Sequence, residues 1–367
     1  MLPHNSLRLS LDSPSPAGGG GARDPLDATQ VAGVFTRFAP LVALEAEIGL
    51  DVKSLPDSEK IGELTKILRT IEEAAFPGIS SKVQPSTRGM RFLSKPLTPD
   101  QVTALNEAYN NEHTGSLTEL IGQSRQVPLV ESQERVVPLE AQAKEADVAM
   151  LFSPEPFHEA CGAYGGKSRI FWARESVAEK IVEVARILNK VGLAPEIMDA
   201  YRPPEVQQGL LLRRADWIRQ QHPDWSDEQV ARQARVTTSS SPELAAHMSA
   251  CAIDYRLVNL ATAEPLPIGN SYPEGGPRSS LRFPYLTEDE FATREIFELV
   301  SRAVGFAVYL GENWHVSDRD RLYLIHTGAP HKTAHFGPIK GFDMETGEVM
   351  PYSADEMKVD FPVFRAD

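Results

Sequence analysis

The sequence predicts an α+β fold, with an antiparallel central sheet flanked by helices and a helical region ahead of it. Two observations lead there. Residues 26–125 carry apolar side chains at helical spacing, whereas residues 126–367 alternate amphipathic helical stretches with short β-branched and aromatic runs. Three segments follow: a disordered arm over 1–25, a helical accessory domain over 26–125, and a larger domain over 126–367 that holds the chemistry.

The first 25 residues are rich in Ser, Pro and Gly, with an unbroken Gly18 to Gly21, and such a composition cannot bury enough apolar surface to order itself. Ile61, Leu64, Leu68, Ile71 and Ala75 then mark one helix face, which Pro77 and Gly78 end. Thr98 is the N-cap of a second helix, with Pro99 at its first position and Gln101 in the first turn. A polar connection from Gln123 to Val137 leads into the larger domain.

There, Val177, Ile181, Val184, Leu188 and Val191 form a helix stripe, and Gly192 stops it. A strand over Pro195–Ala200 delivers Arg202 to a corner. Pro203 disfavours the α region for Arg202 and opens the next helix, so the guanidinium sits between strand and helix. Ile253 to Leu257 read as another strand. Thr287 and Glu290 form a capping box for a helix containing Phe291, Ile296, Leu299 and Val300, which Gly305 ends. Phe306–Leu310 and Arg321–His326 are expected as strands facing the one that begins near Asp254.

Composition narrows the function classes. A chain of 367 residues with 41% hydrophobic content buries a substantial core. A net charge of −14, without any run of Lys or Arg, provides no footprint for a phosphate backbone, so nucleic acid is not an expected partner. There is no apolar stretch near the roughly eighteen residues a membrane helix needs, and the opening Met-Leu-Pro-His-Asn-Ser lacks the pattern of a secretory signal. A cytoplasmic location is therefore the expectation. The two cysteines, Cys161 and Cys251, require no disulfide framework, and Cys251 reads as a small buried residue.

The residues that carry chemistry are His247 and Asp254 in His-Met-Ser-Ala-Cys-Ala-Ile-Asp, and Glu312 and His315 in Glu-Asn-Trp-His. Two imidazoles and a carboxylate fill three positions of a tetrahedral zinc and leave the fourth open, while a further carboxylate is available to move a water proton. The spacing constrains the backbone. Seven residues of straight strand would separate His247 from Asp254 by about 23 Å on opposite faces, and a continuous helix would still hold them about 10 Å apart. The chain must therefore turn back, and Ser249, Ala250, Cys251 and Ala252 are small enough to allow it. Glu312 and His315 likewise converge only across a turn. His326, His331 and His335 form a second histidine-rich stretch, but no carboxylate or Cys shares their spacing, so they are not assigned as ligands.

Three blocks in order give the chain a resemblance to the D-alanyl-D-alanine dipeptidase family of zinc metallopeptidases, from about Val127 to the C-terminus. Asp199-Ala200-Tyr201-Arg202-Pro203 resembles the family's Asp-x-Tyr-Arg-Pro, the segment from Ala245 to Asp254 resembles Ser-x-His-x-x-Gly-x-Ala-x-Asp, and Glu312-Asn313-Trp314-His315 resembles Glu-Trp-Trp-His. The resemblance implies one zinc per chain on His247, Asp254 and His315, with Glu312 as general base and Arg202 stabilising the transition state. It also implies a small peptide or amide substrate; the oligomeric state stays open.

The departures fall on specificity. Ala245 replaces a Ser, Ala250 replaces a Gly, and the family's Met-Gly-Thr-x-Phe-Asp survives only as Ile268-Gly269-Asn270-Ser271-Tyr272-Pro273, with Glu274 as the next acid. That region helps the family recognise a free amino end, so relaxed selection for such an end is expected. Two other readings use the same ligands: a non-haem iron oxygenase built on two His and one carboxylate, and a zinc-binding module without catalysis. The oxygenases, however, place their carboxylate two residues after the first His and need no base before the last, and retention of Glu312 and Arg202 speaks against an inert module.

Overall fold

The computed structural model describes residues 45, 47–53, 55–78, 83–85, 87, 90–110, 120, 122–154, 169–273 and 276–364. The arm over 1–25, Cys161 and Glu274 lie outside the described residues.

Local sequence sets the first elements. After the short strand Val52–Lys53 (β1), the helix Ser58–Ala75 begins where the Asp57 carboxylate accepts the Glu59 and Lys60 amides, and it buries Leu64, Leu68 and Ile71 along one face. Arg91–Leu93 (β2) pairs antiparallel with β1. The helix Pro99–Asn110 starts as its sequence requires: Gln101 accepts the Thr98 amide through its side chain, and Thr98 Oγ1 accepts the Gln101 amide.

Further along come Val136–Pro138 (β3), the helix Leu139–Glu145, Leu151–Phe152 (β4), Trp172–Arg174 (β5) and the helix Glu175–Asn189. That helix gives way to Leu193–Asp199 (β6) through Gly192, whose φ of +73° is the left-handed conformation a glycine adopts without strain. The helices Pro204–Gln221 and Asp227–Thr237 pack on each other, with Leu211, Ile218, Val230 and Val363 in a small core of their own. Then follow Ala252–Asn259 (β7), Tyr285–Leu286 (β8), the helix Glu288–Ala303 with its Thr287 and Glu290 capping box, Ala307–Val308 (β9) and His315–Ser317 (β10). The helix Arg321–His326, Ile339–Phe342 (β11), Val349–Pro351 (β12) and a 3-10 turn at Glu356–Lys358 follow.

The central sheet runs β4-β6-β7-β10-β9. It corrects the expectation of an antiparallel sheet: β6-β7, β7-β10 and β10-β9 are antiparallel, but β4 and β6 are parallel, so the sheet is mixed. The helix Glu175–Asn189 lies between β4 and β6 in the chain, and a helical crossover returns the chain to the same end of the sheet, which makes the two strands parallel. Arg321–His326 is a second correction, being a helix rather than a strand. Asp320 caps it by accepting the Tyr323 amide at 2.6 Å, and a short apolar run takes its form from such a cap because its periodicity distinguishes neither state.

One hydrophobic cluster joins these parts. Leu64, Leu68 and Ile71 from the N-terminal helix share it with Val177, Ile181, Phe297 and Val316, and β2 pairs in parallel with β8. Among the described residues no helix is long and apolar enough to cross a membrane.

Candidate metal centre

The centre is built on two adjacent strands. Asp254 of β7 and His315 of β10 are register partners in an antiparallel pair, so their side chains leave the same face of the sheet a few ångströms apart. His315 Nδ1 lies 3.0 Å from Asp254 Oδ1.

His247 reaches the same place from a tight turn. The 3-10 segment Ala246–Ser249 carries it, and Ala250, at φ 58° and ψ 24°, turns the chain into the left-handed region so that β7 can begin at Ala252. This is the reversal that the seven-residue spacing required. The buried Arg174 braces the turn: its amide donates to Ala250 O and its Nε to Ser249 O at 2.9 Å. Cys251 is wholly buried, its Sγ 2.7 Å from Ser249 Oγ.

The donor chemistry fits a metal. Ala200 O accepts from His247 Nδ1 at 2.9 Å, which places the imidazole proton on Nδ1 and leaves a lone pair on Nε2. That lone pair faces Asp254 Oδ1 at 3.3 Å. Two acceptors so close repel unless a cation or proton lies between them, and two ligands each about 2.0–2.1 Å from a tetrahedral zinc stand about 3.3 Å apart. One ligand atom each of His247, Asp254 and His315 falls within 4.8 Å of the others, and all three residues are buried. Burial works against the Asp254 charge, yet the cationic forms of the His247 and His315 rings outweigh it and hold the carboxyl below its ordinary range, so the ionised carboxylate calls for a cation at this point, whether proton or metal.

Glu312 comes from the turn between β9 and β10. Its amide donates to Tyr309 O, the Asn313 amide donates to Ser279 O, and Gly311 lies so close beneath the Tyr309 ring that a Cβ there would sit 2.7 Å from it. Glu312 Oε2 is 3.8 Å from His315 Nδ1, on the accessible side of the centre. Partial desolvation beside the centre raises the Glu312 pKa, against the pull of His315 and with help from the Asp254 charge, although the side chain keeps 39% of its surface exposed.

Arg202 stands at the end of β6. Its amide donates to His247 O, and Asp199 Oδ2 accepts from its NH2 at 2.6 Å and its Nε at 3.1 Å. Gln207 Oε1 accepts from NH1 at 2.9 Å. A bulge in β6 between Ile197 and Asp199 brings Asp199 opposite Asp254, and the guanidinium is within electrostatic reach of both Asp254 and Glu312. The structure thus brings together all five side chains singled out from the sequence. Of the second histidine group, His331 and His335 are exposed, while His326 lies with its ring 5.3 Å from that of Tyr309.

Two neighbours of the centre carry roles that the sequence alone does not assign. Asp199 orients Arg202, and its place in the Asp-x-Tyr-Arg-Pro block was the available signal. Tyr272 donates its hydroxyl to Asp254 Oδ2 at 3.0 Å, and only its replacement of a Phe in a degraded motif marked it beforehand. Burial first, then the Asp254 and Asp199 charges, push the Tyr272 hydroxyl well above its ordinary pKa, so it remains a donor.

Comparison with known proteins agrees with the motif resemblance. Residues 162–332 match the family model described as D-ala-D-ala dipeptidase, a span that includes Arg202, His247, Asp254, Glu312 and His315. A search of curated proteins finds no match. Across residues 162–332, then, the chain is similar to the family described as D-ala-D-ala dipeptidase.

Proposed function

We propose that the protein is a zinc-dependent hydrolase of a dipeptide or related small peptide amide, with one zinc per chain held by His247, Asp254 and His315. The observation that carries this reading is the convergence of those three donors beside a carboxylate and a guanidinium that are not needed to hold the metal. Zinc in such a site supplies Lewis acidity, polarising a carbonyl and bringing the pKa of water down to about 7.

Glu312 takes the proton of the attacking water. Its raised pKa suits a group that must hold that proton and then release it to the departing amine, which an amide requires because its anion is a very poor leaving group. Arg202 sits to hydrogen-bond the carbonyl oxygen as negative charge develops there. Asp199 and Gln207 fix the guanidinium plane in advance, so the oxyanion need not reorganise it. His247 is kept in the required tautomer by Ala200 O.

The test is to incubate zinc-loaded protein with D,D-, L,D- and L,L-dipeptides and their N-acylated forms and to follow amine release, with Glu312→Gln as control. Release in at least one series that the control abolishes supports the reading. Absence of release from every series, in protein shown to carry zinc, refutes it.

A further inference from the structure

We propose that Tyr272 is a positioning residue that holds Asp254 as a one-oxygen ligand; the assignment rests on the zinc reading of the centre. The two oxygens of Asp254 have different surroundings. Oδ1 faces His247 Nε2 at 3.3 Å and His315 Nδ1 at 3.0 Å, on the side where the donors converge, whereas Oδ2 accepts the Tyr272 hydroxyl at 3.0 Å. A carboxylate with both oxygens free can turn to chelate a metal through both, which crowds the open position that water and substrate need. A hydroxyl donating to Oδ2 opposes that rotation and occupies one of its lone pairs.

The donor is itself held in place. The Tyr272 ring packs edge-on against Trp314, with centroids 5.4 Å apart at 85°, and the Arg169 guanidinium lies 5.9 Å from its centroid. The loop that carries it is fastened at both ends. The fully buried Arg294 donates to Ile268 O at 2.6 Å and 2.9 Å, to Arg278 O at 2.8 Å and to Ser280 O at 2.6 Å. Asn313, beside Glu312, donates to Asn270 Oδ1 at 2.7 Å. Metal affinity depends on such outer contacts because they orient the ligand before the metal arrives.

The experiment measures zinc affinity by competition with a chromophoric chelator, and thermal stability of the zinc-free protein, for the parent, Tyr272→Phe and Tyr272→Leu. Phe removes the hydroxyl and keeps the ring on Trp314; Leu removes both. Both variants are expected to bind zinc about 10- to 100-fold more weakly than the parent, with the zinc-free midpoint of Tyr272→Phe matching the parent's. If the parent binds zinc and Tyr272→Phe binds it within twofold, the role assigned to Tyr272 is overturned, including when Leu alone weakens binding, because ring packing is then what matters. A parent that binds no zinc instead overturns the metal reading itself.

Discussion

His315 stands directly opposite Asp254 across the β7-β10 pair, and its Nδ1 is 3.0 Å from Asp254 Oδ1. Strand pairing alone thus sets two of the three proposed ligands, before any metal is bound. The third, His247, depends on a turn, and its position is consequently the more sensitive to backbone change.

Purified protein should carry about one zinc per chain, and Ala at His247, Asp254 or His315 should empty the site, because two remaining donors hold the metal too weakly. Elemental analysis checks this. Undiminished zinc in all three variants would remove the ligand assignment, and bound iron with oxygen-dependent turnover would point to an oxygenase instead.

Catalysis should separate from metal binding. Glu312→Gln is expected to keep zinc yet lose most turnover, since an amide cannot accept the water proton. Arg202→Ala should lower kcat by about a hundredfold to a thousandfold, the usual effect of removing one oxyanion donor. Steady-state kinetics on zinc-loaded variants decides it: an Arg202→Ala enzyme within threefold of the parent would exclude Arg202 from the transition state.

Selection for a free amino end should be weak. Tyr272-Pro273 stands where the family has Phe-Asp, so unless Glu274 takes its place a charge-assisted hydrogen bond worth about 1.5 to 3 kcal/mol is lost, roughly tenfold to a hundredfold in preference. The comparison is kcat/KM for D-Ala-D-Ala against its N-acetyl form. A preference for the free dipeptide above about a thousandfold exceeds what the remaining contacts allow.

Stability should fall with acid through His326. Burial, with help from His315 and Arg302, holds the imidazole pKa down to about 4. The folded state therefore resists a proton that the unfolded chain accepts at about 6.5, so His326 favours folding fully above pH 6.5 and loses that contribution as pH falls toward 4. The loss is at most about 3 kcal/mol. Urea unfolding of the parent and His326→Gln at several pH values should show a shallower acid slope in the variant over that window; equal slopes would show that His326 is not the group responsible.

The N-terminal helix should matter to the whole fold. Leu68 has no exposed surface and shares a core with Phe297 and Val316. Leu68→Ala should destabilise the protein by about 2–5 kcal/mol, lowering the thermal midpoint of the transition that also exposes the metal centre. A separate early transition, with the centre's own midpoint unchanged, would contradict this coupling.

Much of this was legible from residue order because its causes are local. The capping boxes at Thr98 and Thr287, the stops at Gly192 and Gly305, and the strand-to-helix corner at Arg202 follow from backbone preferences acting over a few residues. The His247 to Asp254 spacing likewise demanded a reversal, since neither regular form brings those side chains together. What the tertiary structure alone decided involves partners distant in sequence. The parallel β4-β6 pairing needed the crossover helix to pack; Arg321–His326, by contrast, is helical for a local reason, the Asp320 cap three residues before Tyr323, which the expectation of a strand passed over. The two faces of the Asp254 carboxylate, one toward the histidines and one toward Tyr272, arise where β10 and the loop carrying Tyr272 meet β7. Hydrogen bonds act over about 3 Å, and only folding brings residues 18 or 61 positions apart within that range of each other.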